Sequence, residues 1–128
     1  MKSILMTMNL DMFKLMQKAG FDLRNNQTIE PIRKVYFYIS DYGVAGEADL
    51  LEIEQINNLQ HALGLSKLPE VKNKFAGPHY LHSIRIRRKL FAWKFKNIIY
   101  YPNFIKFKPS HFGIAKFPQS WCYVTIRE

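Results

Sequence analysis

The sequence predicts an α+β domain in which mostly antiparallel strands close into a β-barrel with two or three helices. Several segments are rich in β-branched and aromatic side chains, a pattern typical of half-buried strands. Only one early segment shows a clear helical spacing of apolar residues. The predicted order is β-α-β-β-β-α-(α)-β-β. Closing such a sheet into a barrel would leave no exposed strand edge.

The chain opens with a predicted strand, Lys2 to Met8, followed by a predicted helix. Asn9 can cap this helix by accepting hydrogen bonds from the backbone N–H groups of the first turn, and Gly20 ends it. Between these two residues, apolar side chains recur at helical spacing: Met12, Phe13, Leu15 and Met16. Methionines at this spacing predict core packing rather than a binding face.

Three more strands are predicted in the first half of the chain. The first is short, from Phe21 to Arg24, and the second is "KVYFYIS", from Lys34 to Ser40. The third is "VAGEADLLEIEQI", in residues 44–56. Gly46 within it predicts a bulge or a close approach to another backbone.

The second half is predicted to return to strands after an irregular stretch. Residues 58–78 favour helix and loop, and "SIRIR" in residues 83–87 fits a helix or a strand. "KLFAWKFKNIIYY" predicts a strong strand, Pro102 and Pro109 mark the loop that follows it, and "WCYVTI" predicts the closing strand. We expect Tyr36, Trp93 and Trp121 to share one core, because they lie on the three clearest strands.

The charge of the protein is concentrated in one half. The net charge is +9 over 128 residues, a length that predicts one domain spanning residues 1–128. Residues 1–64 carry 6 Lys/Arg and 8 Asp/Glu, whereas residues 65–128 carry 13 Lys/Arg and 2 Asp/Glu together with 13 of the 19 aromatic residues. A basic, aromatic-rich half favours a polyanionic partner, nucleic acid before membrane. The alternative is that the lysines only keep aromatic strands soluble.

The cysteine and histidine content argues against several kinds of site. Cys122 is the only cysteine, which excludes an internal disulfide and a multi-cysteine metal site. No histidine lies within ten residues of it in sequence, so we expect a buried structural thiol. His79 and His82 are interpreted as surface residues, and neither a metal nor a cofactor is expected. A single cysteine and the lack of a signal peptide or an apolar span predict a cytoplasmic protein.

Several segments, in order, resemble the ASCH domain family of the PUA-like superfamily. "LMTMNLDMFKLMQKAGFDLR" resembles the family's opening strand, short helix and turn. "KVYFYIS" with "GVAGEADLLEIEQI", then "LFAWKFKNIIYYPNFIKF", then "KFPQSWCYV" resemble its next strand pair, its late strand and its closing Pro-Pro-Gln-Ser-aromatic stretch. The resemblance implies a single PUA-like β-barrel. PUA-like domains commonly bind RNA or modified bases in a cleft between barrel and helices.

The resemblance also points to candidate catalytic residues. The family motif Gly-x-Lys-Thr-x-Glu-x-Arg follows the first helix, and members that carry it resemble amidohydrolases acting on acetylated cytidine. Two registers compete here: residues 18–24, or Gln27 to Glu30 with its Thr28. We prefer the first, in which Asp22 stands for the glutamate, Arg24 matches, Lys18 is one position out of step and the threonine is absent. Lys18 and Asp22 are therefore the catalytic candidates if the protein is an enzyme.

The best functional candidate from the residues themselves is a basic segment with nearby tyrosines. Arginine forks fit phosphates, and tyrosine rings stack on unpaired bases. The predicted nucleic-acid-binding residues are Arg24, Tyr80, Arg85, Arg87, Arg88, Lys89, Lys94 and Tyr100. The alternative is a solvated basic face.

The sequence therefore predicts a nucleic-acid-binding protein, with RNA preferred to DNA as the partner. One alternative is a hydrolase of the same fold that acts on a modified nucleoside or on RNA. Another is a protein-interaction adaptor that uses the acidic strand "GEADLLEIE".

Overall fold

The structure is a computed structural model that describes residues 2–28, 30–58, 60–61, 64–65, 67–69, 72 and 89–125. Its described elements follow the order predicted for the strands. These are β1 (Lys2–Met8), α1 (Leu10–Ala19), β2 (Phe21–Arg24), β3 (Ile32–Ile39), β4 (Gly43–Ile56), β5 (Leu90–Ile105), a short 3₁₀ helix (Pro109–Phe112) and β6 (Trp121–Val124). Residues 73–88 lie outside the described part of the chain.

The six strands form one sheet in the order β2-β5-β4-β3-β1-β6. Neighbouring strands are antiparallel except β1 and β3, which run parallel. The predicted closed barrel is wrong, because the sheet is open and has β2 and β6 as its edges. Each edge strand has only four residues, and the contacts that we find between the two ends of the sheet come from side chains. Among the described residues, α1 and the 3₁₀ helix are the helices with complete bounds, and four residues between β4 and β5 are also helical: Gln60, His61, Pro69 and Lys72.

Helix α1 begins and ends as its sequence predicts. The Asn9 side chain accepts a hydrogen bond from the Met12 backbone N–H at 2.8 Å. Gly20 ends the helix with a φ of +80°, and its N–H donates to the Met16 carbonyl. Phe13 and Met16 are buried against the sheet, which confirms the core role predicted for this face.

Strand β5 is longer than predicted and runs through Pro102. Its first residues pair with β2 on one side, but β2 pairs only with residues 91–94. Beyond that point β5 lies at an edge of the sheet, where the missing N–H of a proline costs no ladder hydrogen bond. The strand therefore continues to Ile105, which pairs with Val44 of β4.

Apolar side chains cover both faces of the sheet. The largest cluster surrounds Phe37 and Trp93, and Trp121 packs against it with ring centroids of the two tryptophans 5.3 Å apart. A second face carries Leu5 and Val44, covered by the chain after β5. The shared core of Trp93 and Trp121 is thus confirmed. The prediction that Tyr36 shares this core is wrong. Tyr36 lies half-buried in the cluster on the second face, because side chains alternate along β3 and its neighbours Val35 and Phe37 are the buried ones.

Gly46 marks a close approach between backbones, as its sequence position predicts. A Cβ at this residue would lie 2.4 Å from the Ile99 carbonyl oxygen of β5. The pairing of β4 with β5 shifts register between Val44 and Gly46. A side chain here would therefore force β4 and β5 apart.

We expect Gly46→Ala to lower the free energy of unfolding by about 1–3 kcal/mol, the usual cost of overpacking. Gly64→Ala is the matched control, since its added Cβ meets its nearest atom at 3.3 Å in an exposed turn. Urea unfolding measures both. Equal stability of the two variants would contradict the close approach.

Candidate functional site

Strand β2 places an acid and a base side by side on the face that packs around Trp93. Asp22 and Arg24 are two positions apart on the strand, so their side chains lie on the same face. They pair with Trp93 and Phe91 of β5, respectively. Arg24 Nε donates to Asp22 Oδ2 at 2.6 Å. The two side chains are only 14% and 4% exposed, so the ion pair is largely removed from water.

Arg24 also contacts residues near the opposite end of the sheet. One terminal nitrogen donates to the Thr7 carbonyl at 2.8 Å, and the other donates to Ser120 Oγ at 3.0 Å. Thr7 belongs to β1, and Ser120 precedes β6. The guanidinium therefore joins β2 to the opposite end of the sheet, and we call Asp22, Arg24, Thr7 and Ser120 the closure site.

The segment after β2 continues this bridge. The Asn26 carbonyl accepts from Trp93 Nε1 at 3.0 Å, and its side-chain oxygen accepts from Trp121 Nε1 at 2.7 Å. Thr28 Oγ1 shares a hydrogen bond of 2.5 Å with the Tyr123 hydroxyl. Both indole N–H groups thus find partners, as tryptophans packed in a core require.

The Asp22 carboxylate is therefore held by Arg24 and is not free to act on a substrate. Lys18, the other catalytic candidate, lies exposed in the last turn of α1. In the competing motif register, Thr28 bonds to Tyr123, and Glu30 forms an exposed ion pair with Lys2 at 3.1 Å. Sequence reasoning did not single out Thr7, Asn26 or Ser120, although Ser120 lies in the closing stretch that carries the family resemblance.

The carboxylates of β4 are each held by a partner within the protein. Lys94 contacts Glu52 at 3.0 Å and Glu54 at 3.3 Å, and the Glu52 contact is the main cause that raises the pKa of Lys94. His61 Nε2 lies 2.7 Å from Glu54, and this hydrogen bond is the main cause that lowers the pKa of Glu54. His61 Nδ1 accepts from the Asn57 N–H, so Nε2 is the nitrogen that donates.

A second group repeats this arrangement further along β4. Lys34 contacts Asp49 at 2.8 Å and Glu47 at 3.8 Å. Asn97 donates to Asp49 at 2.8 Å, and this bond, ahead of the Lys34 contact, lowers the pKa of Asp49. Tyr101 donates to Glu47 at 3.0 Å, and burial with this bond raises the pKa of its hydroxyl.

Only part of the predicted nucleic-acid-binding set lies in the described residues. Tyr80, Arg85, Arg87 and Arg88 fall outside them. Lys89 is exposed just before β5, and its carbonyl accepts from Asn25. Tyr100 is 40% exposed, with its ring edge against Phe13, and burial raises its pKa. Lys89 and Tyr100 are eleven positions apart, roughly 36 Å along an extended strand at about 3.3 Å per residue, so they do not share one small site.

Cys122 is a half-buried thiol of β6, opposite Leu5 of β1. Burial raises its pKa, which lowers the fraction of reactive thiolate at neutral pH. Its surroundings are the apolar cluster on the second face of the sheet. This agrees with the predicted structural role, although the side chain is less deeply buried than expected.

Metal and membrane sites gain no support from the described part of the chain. No group of three or more His, Cys, Asp or Glu side chains there could hold a metal ion. Nor do these residues include a helix with the length and apolar character needed to cross a bilayer.

Comparison with solved structures identifies the fold. No family model and no curated protein matches the chain in sequence. The structure of ASCH from Zymomonas mobilis matches with a TM-score of 0.69 at 14% identity, covering 97% of this chain and 88% of that chain. The chain has the fold of an ASCH domain.

Two variants of the Zymomonas mobilis ASCH protein match in the same way. A serine-to-alanine variant has a TM-score of 0.65 at 13% identity and covers 97% of this chain and 89% of that chain. A tyrosine-to-phenylalanine variant has a TM-score of 0.65 at 14% identity and covers 98% of this chain and 91% of that chain. The resemblance to ASCH domains is confirmed at the level of the fold, whereas the closed barrel that it implied is not found.

We expect Asp22→Asn to lower the free energy of unfolding by about 3 kcal/mol, because it leaves the Arg24 guanidinium without its counter-charge in a site poor in water. Glu30→Gln removes the acid of an ion pair whose side chains are 55% and 43% exposed, and it serves as the control. Its expected cost is about 0–1 kcal/mol. Chemical denaturation compares the two, and an equally small loss for Asp22→Asn would show that the closure site does not hold the fold together.

Proposed function

We propose that this ASCH-fold protein binds single-stranded nucleic acid, RNA in preference to DNA. Binding relies on phosphate contacts from lysines and arginines and on stacking by exposed tyrosines. The fold agrees with this proposal, since PUA-like domains commonly bind RNA. A cytoplasmic location forms part of the proposal, because a single cysteine suits a reducing compartment.

The observation that carries the proposal is the uneven neutralisation of charge. The four carboxylates of β4 are all satisfied inside the protein by Lys34, Lys94, His61, Asn97 and Tyr101. By contrast, Lys106, Lys108 and Lys116 are exposed and form no ion pair with any described residue. The carboxylates of β4 are held by partners within the protein, and an excess of cations is left on the surface. Such a surface attracts polyanions.

The proposed contacts are those predicted from the sequence, without the two residues that have structural partners. Arg85, Arg87, Arg88 and Lys89 supply phosphate contacts, and Tyr80 and Tyr100 are the proposed stacking residues. Lys94 already holds two carboxylates and Arg24 belongs to the closure site, so we assign them structural roles.

The alternative functions receive less support from the geometry. A hydrolase would need Asp22 as a base within reach of substrate, whereas its carboxylate contacts Arg24 at 2.6 Å. An adaptor would need the carboxylates of β4 to be available to a partner chain, whereas each of them already has a partner within the protein.

We expect affinity for single-stranded RNA to fall by about 50-fold between about 50 and 200 mM salt, if four phosphates are neutralised with a slope of about −0.7 each. Fluorescence anisotropy with a labelled oligouridine measures this. Replacing Arg85, Arg87 and Arg88 together by Glu should reduce affinity at least about tenfold at the lower salt concentration.

Lys67→Glu with Lys72→Glu is the matched control, because both lysines are exposed and lie outside the proposed contacts. This control should retain most of the affinity, and circular dichroism should show that all variants fold. Unchanged binding by the triple variant would overturn the proposed arginine contacts. Absence of RNA binding by the unaltered protein at either salt concentration would overturn the proposed function.

A further inference from the structure

A small pocket lies at the turn between β3 and β4, on the face covered by the chain after β5. Its volume is about 210 Å³, below the range of about 300–1,000 Å³ typical of sites for drug-sized ligands. Four aromatic rings line it, those of Tyr38, Tyr42, Phe107 and Phe117. We call it the turn pocket. It has room for one flat ring system rather than a large ligand.

The aromatic walls of the turn pocket are held in place by other rings. Tyr38 and Phe117 stack with centroids 3.8 Å apart and planes inclined by 14°. Phe107 stacks on His111 at 4.2 Å, with planes inclined by 7°. Tyr42, which is 51% exposed, contacts Phe104 edge-on at 6.1 Å. Rings that are already ordered lose little freedom when a ligand binds.

The backbone around the turn pocket is equally constrained. Asp41 has a φ of +69°, a left-handed conformation that Asp and Asn adopt more readily than most residues. The Tyr42 N–H donates to the Ile39 carbonyl at 2.9 Å. A Cβ at Gly43 would lie 2.7 Å from the Ile105 carbonyl oxygen, so the turn packs directly on the end of β5.

Two opposite charges face the same space without neutralising each other. Asp41 and Lys106 both line the turn pocket, and among the described ion pairs none joins them. A simple cation would meet Lys106, and a simple anion would meet Asp41. A nucleotide satisfies both, because its base carries N–H donors and its phosphate carries negative charge.

The geometry points to the turn pocket as the site where one unpaired RNA base inserts, stacked on the aromatic rings, with Asp41 accepting hydrogen bonds from the edge of the base and Lys106 contacting a phosphate. This inference rests on the proposed RNA binding and adds a base-binding position to it. Lys108 and Lys116 directly adjoin Phe107 and Phe117 in sequence and are exposed, so they extend the phosphate-binding surface beyond the pocket.

Asp41 also sets an expected preference among bases. An ionised carboxylate only accepts hydrogen bonds, and it can accept two at once. Guanine presents two neighbouring donors, N1–H and the N2 amino group, on its Watson–Crick edge, whereas uracil presents one. We therefore expect guanine to be favoured over uracil in the turn pocket, and over hypoxanthine, which lacks the N2 amino group.

The test uses labelled single-stranded RNAs of about eight nucleotides, within the site sizes of single-strand-binding domains. One is all uridine, one carries a single central guanosine, and one carries inosine in its place. The full chain should bind the guanosine RNA at least about fivefold more tightly than the other two. Tyr42→Ala should weaken binding of the guanosine RNA about 5- to 100-fold by removing a stacking surface.

Ile99→Ala is the matched control for Tyr42→Ala, since Ile99 is 53% exposed on the same sheet and does not line the pocket. Its binding should equal that of the unaltered chain. Asp41→Asn preserves the backbone conformation of the turn and should abolish the preference for guanosine over inosine. Lys106→Gln should reduce the salt slope by about 0.7, while Lys72→Gln leaves it unchanged.

The outcomes separate this inference from the proposed function. Salt-dependent RNA binding that discriminates no base and is unaffected by Tyr42→Ala and Lys106→Gln would overturn the turn pocket and leave the proposed function standing. If the unaltered chain binds none of the three RNAs at either salt concentration, both fall. Loss of guanosine preference in Asp41→Asn with a retained thermal midpoint would support the inference even if Tyr42→Ala fails to fold.

Discussion

The fold depends on one charged side chain that joins the two ends of an open sheet. Arg24 leaves β2, pairs with Asp22, and donates to the Thr7 carbonyl and Ser120 Oγ on the far side. Edge strands of four residues offer few backbone groups for a continuous hydrogen-bond ladder, so side chains link the two ends of the sheet instead. A planar guanidinium suits this task because it donates several hydrogen bonds in fixed directions. Asn26 strengthens the bridge by accepting from Trp93 and Trp121, which lie on strands that are not neighbours.

The way charged side chains are paired within the protein connects the fold with the proposed function. Carboxylates are concentrated in the first half of the sequence, and in the structure those of β4 contact cations and hydrogen-bond donors from β3 and β5. Lys94 is an example, since it belongs to the basic half of the sequence but forms ion pairs with Glu52 and Glu54 of β4. The lysines after β5 have no such partners among the described residues. Lys106 lines the turn pocket, and exposed Lys108 and Lys116 each adjoin one of its aromatic residues in sequence, so positive charge lies at the site where we propose that phosphates bind.

The sequence predicted features that depend on near neighbours. Asn9 and Gly20 delimit α1 through contacts within one turn, and Gly46 was recognisable as a glycine inside a strand. Features that depend on distant partners were not predictable from spacing. Arg24 and Ser120 are 96 positions apart, and the turn pocket joins residues near 40 with residues near 107 and 117. The predicted barrel failed for the same reason, because closure depends on how far two short edge strands can pair across space.

The charges that hold the fold and the charges proposed to bind RNA are different residues, and a nuclear magnetic resonance titration tests this separation most directly. Isotope-labelled protein would be titrated with a guanosine-containing RNA of about eight nucleotides while backbone amide and Arg24 Nε–H signals are followed. The account predicts the largest changes at the proposed phosphate contacts Arg85, Arg87, Arg88 and Lys89 and around the turn pocket, at residues 41–43, residues 106–108 and Lys116. The Arg24 signal should stay unmoved. The largest changes at Asp22, Arg24 and Ser120, with the turn pocket silent, would contradict it.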